Sequence, residues 1–427
     1  MSEFANLAEW LEYIESLSLS EVKLSLDRIT KVATKLKILK PSFKIICVGG
    51  TNGKGSTVAL LESILIESGL NVGSYSSPHL IEFNERIRFN HDSIDSSDLV
   101  FLFQAIEKAR DDIELTFFEF TTLAALKYFH DKKIHIAILE VGLGGRLDAV
   151  NAFPSDYAII TNVSLDHMDW LGNTRERIAY EKSGLLKKGM KAVYGETDVP
   201  QAIEEKSKIL RQLFIKDRDY TVSLSNDCRC SYKDIFGNNL SVELPDFGGQ
   251  EQLENLGSVL ALCVVIQKEV GIDLSKIGSA IKKSSIKGRL EKIQFKGRSW
   301  LLDVAHNAAS ARNLLKNIKS YYSDRKIIAL TTILQDKEAS QIISTMSEVV
   351  DRWIFIDIDY ERAFTGEQLA ALVSKETDKS YTVAYYNEAV EMAIATTAKT
   401  DLLLVFGSFY LVGPILSQLS FNKLNRN

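Results

Sequence analysis

The sequence predicts an α/β fold in which a mostly parallel β-sheet is covered by helices on both faces. Short segments that are apolar throughout, FKIICV, IHIAILEV and YAIITNV, have the length and composition of strands buried on both faces. Each is followed by a glycine-rich or polar loop, and the segment after the first loop, STVALLESILIES, has the apolar spacing of a helix. Strands and helices that alternate in this way form parallel sheets.

The chain has 427 residues, more than one hydrophobic core usually organises, so two domains are expected. The polar, basic segment IKKSSIKGR precedes a new strand, SWLLDVA, after which KIIALTTIL, RWIFIDID and LLLVFGS again alternate with helices. We therefore place the domains at 1–285 and 286–427. Between about 191 and 245, alternating polar and apolar residues and an Asn-rich turn predict a small β insertion.

Composition and charge exclude several classes of protein. A net charge of −5 provides no general basic surface for nucleic acid. The four cysteines, Cys47, Cys228, Cys230 and Cys263, lack the spacing of a zinc site or a disulfide framework, which fits a reducing cytosol. The acidic N-terminal segment does not resemble an export signal. We therefore expect a cytoplasmic protein that binds no nucleic acid and is, by default, a monomer.

One stretch, 402–422, contains no charged residue and is about as long as a membrane span. Two glycines, a serine and Pro414 interrupt it. We therefore expect a buried strand, a turn and an amphipathic helix here, and no membrane-spanning segment.

The most specific motif is VGGTNGKGST, which lies between the first buried strand and a helix. Such a loop surrounds phosphate oxygens with backbone N–H groups and the N-terminus of a helix. Lys54 adds a positive charge, and the hydroxyl of Ser56 or Thr57 can bind Mg²⁺. Gly55 departs from the usual pattern, and a purely structural glycine turn is the alternative. The predicted ATP-binding residues of this loop are Gly50, Thr51, Asn52, Gly53, Lys54, Gly55, Ser56 and Thr57.

A phosphate loop alone leaves the reaction open, because GTPases, transport ATPases, kinases and ligases all use one. The chain has no NKxD guanine motif and no LSGGQ-type signature, which argues against a GTPase switch and a transport ATPase. Glu140 and His167 lie at the ends of successive strands, where ligands collect in parallel sheets, and both can bind a divalent cation. Taken separately, an ion-pair role for Glu140 and a structural role for His167 are the alternatives.

Ten motifs together carry a resemblance to a known family. They are, in order, GTNGKGS, YSSPHLIEFNERI, FFEFTTLAAL, LEVGLGGRLDAVN, SLDHMDWLG, EKSGLLK, GRLE, DVAHN, LQDKE and VFGSFY. They resemble the folylpolyglutamate synthase/dihydrofolate synthase family of the Mur-ligase superfamily, over roughly 11 to 410. The resemblance implies an N-terminal P-loop ATPase domain with a parallel-rich sheet, a smaller Rossmann-like C-terminal domain, and an active site in the cleft between them. It implies ATP-dependent ligation of L-glutamate to dihydropteroate, to folylpolyglutamates, or to both.

The same resemblance assigns roles to individual residues. The matched positions are, for Mg²⁺, Ser56, Glu140, His167 and Lys182; for ATP beyond the loop, Asn255, Arg289 and Asp303; for catalysis, Lys54, Lys182, Arg289 and His306; and for folate and glutamate, Phe117, Phe118, Glu119, Asp148, His306 and Ser408. Lys182 matches a lysine that family members carbamylate. A carbamate forms from a neutral amine and CO₂, and as an anion it suits a second Mg²⁺. A surface lysine paired with an acid is the alternative.

The chain departs from the family pattern at three places. A proline often stands before the linker arginine, whereas here the letters are KGR, ending at Arg289. Glu251, rather than histidine, precedes Gln252. Lys23 and Ser25 stand where bifunctional relatives tend to carry Asp and Gly, and this change bears on which pteroate substrate is used.

Two alternatives to a folate ligase remain at this point. One is another Mur-type amide ligase, acting on a cell-wall precursor or a polyamide. The other is a P-loop regulator without ligase chemistry. For the folate ligase, the expected partners are Mg²⁺, ATP, L-glutamate and either dihydropteroate or reduced folates.

Overall fold

The computed structural model describes residues 4, 6–17, 25–225, 229–249, 251–373 and 380–424, with the backbone alone at 380–381 and 421–424. Cys228 and Lys23 lie outside the described residues. The chain forms two compact units. The first comprises Met1–His79, Phe83–Pro245 and Gln252–Ser285, and the second comprises Leu80–Glu82, Asp246–Glu251 and Ile286–Asn427.

An eight-stranded sheet organises the first unit. Its strands β1 to β8 are Lys44–Gly49, Val72–Tyr75, Ile87–Phe89, Asp92–Ser93, Ile136–Glu140, Tyr157–Ile160, Lys191–Tyr194 and Gln212–Ile215. They lie in the order β4-β3-β2-β5-β1-β6-β7-β8, and all neighbours are parallel except at the β4-β3-β2 edge. Because β1 is central, the loop that follows it opens between the carboxyl ends of β5 and β6.

Ten α-helices pack around the sheets in the described part of the first unit. In chain order, α1 to α10 are Leu7–Ser16, Asp27–Lys35, Lys54–Glu67, Ser96–Arg110, Phe117–Asp131, Met168–Leu171, Arg175–Ser183, Gln201–Ser207, Gln252–Val270 and Ile277–Lys283. The third of these, α3, is buried over all its residues from Ser56 to Leu65. A helix that is apolar on all sides belongs inside a protein, and α3 packs against β1, α9 and α10. Its N-terminus is thereby fixed at the end of β1.

A separate antiparallel sheet is formed by β9, β10 and β11, which span Tyr220–Leu224, Arg229–Asp234 and Asn239–Glu243. Its middle strand, β10, buries Cys230 and Tyr232 on one face, as its alternating sequence requires. This sheet is smaller than the insertion expected between 191 and 245. The segments β7 and β8 extend the large parallel sheet instead, because their central residues are apolar and buried on both faces.

The second unit contains a six-stranded sheet. Strands β12 to β17 are Glu291–Phe295, Arg298–Leu302, Ile327–Thr331, Arg352–Asp357, Ser380–Tyr385 and Leu402–Phe406, and helices α11 to α15 are Ala308–Tyr321, Ala339–Met346, Gly366–Val373, Tyr386–Thr396 and Phe409–Leu424. The order is β12-β13-β17-β14-β15-β16, with β12 alone antiparallel to its neighbour.

Both faces of this second sheet are covered. Along β17, Leu402, Leu404 and Phe406 join one apolar cluster, whereas Leu403 and Val405 join another. The uncharged stretch 402–422 therefore forms a buried strand and a helix. Over the described part of the chain, we find no helix with both the length and the apolar character needed to cross a bilayer. The predicted α/β fold with parallel-rich sheets is confirmed.

Candidate active site

The phosphate loop lies between the end of β1 and the first residue of α3, Lys54. Gly50 and Gly53 adopt φ angles of +140° and +84°, which side chains strongly disfavour. A Cβ atom on Gly53 would stand 2.2 Å from Oδ1 of Asn255, and one on Gly50 would stand 1.8 Å from Oγ1 of Thr161. The two glycines therefore allow the loop to pack directly against neighbouring polar side chains.

The segment that follows β6 anchors this loop. The backbone N–H of Thr51 donates to the carbonyl of Asn162 over 3.0 Å, and that of Asn52 donates to Oδ1 of Asn162 over 2.9 Å. The hydroxyl of Thr161 donates to the carbonyl of Asn52 over 2.6 Å. Ser164, further along the same segment, donates its backbone N–H to the Thr51 hydroxyl over 3.0 Å. Hydrogen bonds from the segment after β6 thus fix the conformation of the phosphate loop.

The side chain of Lys54 folds back onto the phosphate loop and contacts its backbone. Its Nζ lies 3.2 Å from the carbonyl oxygen of Gly50 and 3.0 Å from that of Thr51. The N-terminus of α3 begins at the same residue, so the backbone N–H groups of its first turn and its dipole favour an anion at this place. The arrangement provides what a bound polyphosphate requires: backbone donors, a cation and a helix N-terminus.

A second lysine reaches the loop from α7. Lys182 is 4% exposed, and its Nζ donates to the carbonyl oxygen of Gly50 over 2.9 Å. Burial, together with the charge of Lys54, lowers the pKa of Lys182 to about 7. A large fraction of this amine is therefore neutral at physiological pH, unlike that of a surface lysine.

Glu140 ends β5 and pairs with Val48 of β1, which places its buried carboxylate beside the phosphate loop. Its Oε2 lies 3.3 Å from the backbone nitrogen of Ser77. His167 precedes α6 in a left-handed conformation with φ +51°, on the same segment whose Ser164 contacts the loop. The predicted ligands thus lie on elements that all adjoin the phosphate loop.

These residue types fit a hard divalent cation, because a hydroxyl, a carboxylate and an imidazole can all bind one. Within the described residues, no three His, Cys, Asp or Glu side chains are close enough to hold a metal ion. The predicted set contains two such residues, Glu140 and His167, and therefore depends on the hydroxyl of Ser56. Lys182 could contribute only after modification, since its amine is a donor to Gly50.

Gln252, the first residue of α9, was not singled out by sequence reasoning. Gln252 is 3% exposed, and its side chain lies between those of Ser56 and Asn255, both of which were predicted from the sequence as site residues. Its Nε2 donates to Oγ of Ser56 over 3.3 Å, and its Oε1 accepts from Nδ2 of Asn255 over 3.1 Å. The signal available in the sequence was its position three residues before Asn255, on the same face of the helix.

The predicted folate residues serve structural roles in the described contacts. The ring of Phe118 lies 5.7 Å from that of Tyr75 and packs over Gly142, where an added Cβ would stand 2.7 Å from its Cζ. Glu119 closes a capping box with Thr116 at the start of α5.

Arginines accompany two of these residues. Glu119 also pairs with Arg28 at 3.3 Å, and Phe117 lies 5.4 Å from the Arg86 guanidinium.

Asp148 is buried and accepts backbone N–H groups of Leu143 and Val150. Burial raises the pKa of Asp148 to about 6. Ser25, one of the departures from the family pattern, accepts the N–H of Asp27 at the start of α2.

The remaining predicted residues lie in the second unit. Asp303 follows β13, and Ser408 follows the neighbouring parallel strand β17, so both stand at the carboxyl edge of that sheet. Asp303 accepts the N–H groups of Leu290 and Ala305, and burial raises its pKa to about 6, although the Arg289 guanidinium opposes that rise.

The His306 imidazole is oriented by the backbone. Its Nδ1 lies 2.8 Å from the carbonyl oxygen of Val304 and must carry the proton there, which leaves Nε2 as an acceptor. The rings of His306 and Phe409 lie 5.9 Å apart, and the Arg289 guanidinium lies 6.0 Å from Phe409. Ser408 is 2% exposed. A basic nitrogen, a guanidinium and a buried hydroxyl are thus gathered at one edge of this sheet.

Comparison with known proteins identifies the family. The Mur ligase middle domain matches residues 48–262, and the Mur ligase glutamate ligase domain matches residues 288–409. The dihydrofolate synthase/folylpolyglutamate synthase of Escherichia coli is 35% identical over 415 residues, which is 96% of this chain and 94% of the relative. That of Haemophilus influenzae is 34% identical, over 95% of this chain and 96% of the relative.

Solved structures agree with the sequence comparison. E. coli FolC in complex with DHPP and ADP superposes with a TM-score of 0.90 at 33% identity, covering 98% of this chain and 99% of that one. A bifunctional folylpolyglutamate synthase/dihydrofolate synthase with Mn, AMPPNP and L-glutamate bound gives 0.88 at 36% identity, covering 97% and 98%. The chain therefore belongs to the folylpolyglutamate synthase/dihydrofolate synthase family of ATP-dependent Mur ligases.

Proposed function

We propose that this chain uses ATP to join L-glutamate to dihydropteroate and to folylpolyglutamates, releasing ADP and phosphate. The observation that carries the proposal is the convergence of Lys54 and Lys182 on the carbonyl of Gly50 in a phosphate loop. The relative with AMPPNP and L-glutamate bound, and FolC with DHPP and ADP bound, support this choice of substrates.

In the first step, a substrate carboxylate oxygen attacks the γ-phosphorus of ATP, the bond to the β-phosphate oxygen breaks, and an acyl phosphate and ADP form. Lys54 leaves the loop carbonyls to follow the transferred phosphoryl group, and the backbone N–H groups of the loop hold its oxygens. Arg289 provides a planar, permanently charged fork for phosphate, and Asn255 and Asp303 complete the proposed ATP contacts.

In the second step, the glutamate amine attacks the acyl carbon and phosphate leaves, which forms the amide. His306 suits a role at this amine, because the Val304 carbonyl fixes its tautomer with Nε2 as the proton acceptor. Ser408 and His306 are proposed to hold the incoming glutamate. Water would hydrolyse the acyl phosphate, so the ordered site must exclude water until the glutamate amine attacks.

Ser56, Glu140 and His167 would hold Mg²⁺, which when bound neutralises phosphate charge. Lys182 is proposed to hold a second Mg²⁺ after carbamylation. In that reaction the neutral amine attacks CO₂, a C–N bond forms, and one proton is released to give the carbamate anion. The lowered pKa of Lys182 supplies the neutral amine that this step needs.

The pteroate part of the substrate is proposed to contact Phe117, Phe118, Glu119 and Asp148. The ring of Phe118 offers an aromatic face beside the loop that follows Glu140. We also propose that 1–285 carries ATP and folate chemistry and 286–427 carries glutamate ligation, which the matched glutamate ligase domain at 288–409 supports. The protein is proposed to act as a monomer in the cytosol.

Phosphate release with Mg-ATP and L-glutamate tests the proposal, with dihydropteroate, tetrahydrofolate or its glutamate-extended form as acceptor. We expect release with dihydropteroate and with reduced folates. Release only with UDP-sugar peptides would identify another Mur-type amide ligase, and no amino-acid-dependent release at all would point to a regulator without ligase chemistry. The ratio of kcat/KM for dihydropteroate to that for tetrahydrofolate measures how the two activities are balanced.

A further inference from the structure

A short row of polar side chains runs from beside the phosphate loop to Ser56 in the first turn of α3. At one end, Asn255 packs directly against the loop, because its Oδ1 lies 2.2 Å from the position that an added Cβ atom on Gly53 would take. Nδ2 of Asn255 donates to Oε1 of Gln252 over 3.1 Å, and Nε2 of Gln252 donates to Oγ of Ser56 over 3.3 Å. Asn255, Gln252 and Ser56 are 6%, 3% and 2% exposed, so this row is shielded from water.

The two amides are oriented so that the hydrogen bonds run from Asn255 to Gln252 and from Gln252 to Ser56. Oε1 of Gln252 faces an amide NH₂ group, and only an acceptor is favourable in that position. The NH₂ group of Gln252 must then face Ser56, whose oxygen accepts the bond. One lone pair of the Ser56 hydroxyl is therefore engaged, while its second lone pair and its proton are directed elsewhere. The bond from Gln252 restricts rotation of this hydroxyl, because one side of the oxygen must keep facing the amide.

We propose that Gln252 is a positioning residue that aims the second lone pair of the Ser56 hydroxyl at a divalent cation beside the phosphate loop. This inference rests on the proposed function, in which Ser56 is a metal ligand. Gln252 touches neither the nucleotide nor the metal in this proposal and acts only through Ser56. Asn255 packs against the loop at Gly53 and holds the Gln252 amide through its Nδ2 group.

Glutamine is required because it both accepts and donates. A methionine of similar length would fill the same space but make neither bond, and the Ser56 hydroxyl would rotate freely. A glutamate would accept from Asn255 as before, but it would also accept the proton of Ser56, which reverses the second bond and adds a negative charge. The two substitutions should therefore change the affinity for a divalent cation in opposite directions. Their effects on the affinity for metal-free ADP should also differ.

Calorimetric titration of ADP, with and without Mg²⁺, tests the proposal on the full chain without using its activity. For Gln252→Met, we expect the gain in ADP affinity caused by Mg²⁺ to fall at least tenfold, while metal-free ADP binding changes less than twofold. For Gln252→Glu, we expect tighter Mn²⁺ binding, measured by the loss of the free Mn²⁺ paramagnetic resonance signal, and weaker metal-free ADP binding. Gln267→Met, near the other end of α9, is the matched control and should change neither quantity.

The double substitution Ser56→Ala with Gln252→Met separates positioning from general support of the loop. If Gln252 acts through Ser56, adding Gln252→Met to Ser56→Ala changes the Mg²⁺ effect by less than twofold. Equal losses of metal-free and Mg²⁺-dependent affinity in Gln252→Met, or full additivity in the double variant, would overturn the proposal. Failure of the ligase assay with an intact Mg²⁺ effect would instead remove the proposed function.

Discussion

The side-chain nitrogen of Lys182 donates a hydrogen bond to the carbonyl oxygen of Gly50, 2.9 Å away and 132 residues earlier in the chain. This contact places an amine with a pKa of about 7 on the phosphate loop, where burial and the nearby charge of Lys54 both disfavour protonation. An ordinary surface lysine would be almost fully protonated at the same pH. The neutral amine is the form that the proposed carbamate requires.

We predict that activity falls as the pH drops below about 7, because protonation of Lys182 removes the amine that forms the carbamate. At constant CO₂, the neutral fraction decreases about tenfold for each pH unit below the pKa. The measurement is kcat/KM between pH 5.5 and 8.5, roughly centred on that pKa, with and without added bicarbonate. Bicarbonate should raise the activity of enzyme prepared without CO₂.

The control for this prediction is Lys188→Ala, which changes an exposed lysine just after α7 and should leave the profile unaltered. Lys182→Ala should lose most activity, and short carboxylates should restore it poorly, because their placement costs ordering entropy. Electron density for an unmodified amine at Lys182 in a Mg-nucleotide complex, pointing away from the metals, would contradict the carbamate.

A second prediction concerns Lys54. Lys54→Ala should reduce amino-acid-dependent phosphate release by more than 100-fold without changing the melting temperature, because this side chain contacts loop carbonyls rather than the core. Lys44→Ala is the matched control, since Lys44 begins the same strand, β1, and pairs with Asp156. Activity of Lys54→Ala within about tenfold of wild type, about 1.4 kcal/mol in the barrier, would be too small for the proposed role.

The third prediction tests the pteroate site through Gly142. In Gly142→Ala, the new Cβ would stand 2.7 Å from Cζ of Phe118, so the ring must move. We expect the KM for dihydropteroate to rise at least tenfold and the KM for ATP to change less than twofold. Gly278→Ala is the control, because no atom lies within 4 Å of its added Cβ. Equal rises in both KM values would place Phe118 outside the pteroate site.

A fourth prediction concerns stability rather than catalysis. Glu62 of α3 is 2% exposed and pairs with Arg88 of β3 at 2.8 Å, while the Ser74 hydroxyl donates to it over 2.7 Å. Arg88→Met should destabilise the first unit by about 3–5 kcal/mol, because it removes the guanidinium that pairs with this buried carboxylate. Urea denaturation measures the loss. Lys35→Met breaks an exposed pair with Asp111 and should cost less than about 1 kcal/mol.

The same pair has a defined pH dependence. Burial by itself would raise the pKa of Glu62, but His91, Arg88 and Ser74 together lower it to about 2. The carboxylate therefore contributes stability that is complete above its ordinary pKa and is lost as the pH falls through about 2. The difference in stability between wild type and Arg88→Met should shrink across this acidic range. A constant difference would contradict the ion pair.

Sequence patterns predicted the structural elements that are formed by residues close together in the chain. The strand, glycine loop and helix around Lys54 follow from apolar spacing and glycine content within about fifteen residues. Glu140 was placed beside the loop by the rule that parallel strands end at one edge, and the register of β1 with β5 agrees. Apolar composition likewise predicted the buried strand at 402–406.

Such patterns could not predict contacts between residues that are far apart in the chain. Gln252 and Ser56 are 196 residues apart, and neither residue type is unusual at its position. The strands β7 and β8 fell within the expected bounds of the β insertion, because the start of the alternating pattern does not show where the large sheet ends. The buried pair of Glu62 and Arg88 also depends on tertiary structure, since a glutamate on a helix is ordinarily exposed.

The central position of β1 governs when this protein can fold during synthesis. This strand leaves the ribosome first among the eight of its sheet, yet its neighbours β5 and β6 begin at residues 136 and 157. The backbone groups at its two edges therefore stay unpaired for about a hundred further residues, or several seconds at typical translation rates. The apolar side chains of β1 are exposed during that interval, and the phosphate loop gains its full set of contacts only after Thr161 and Asn255 have also been made.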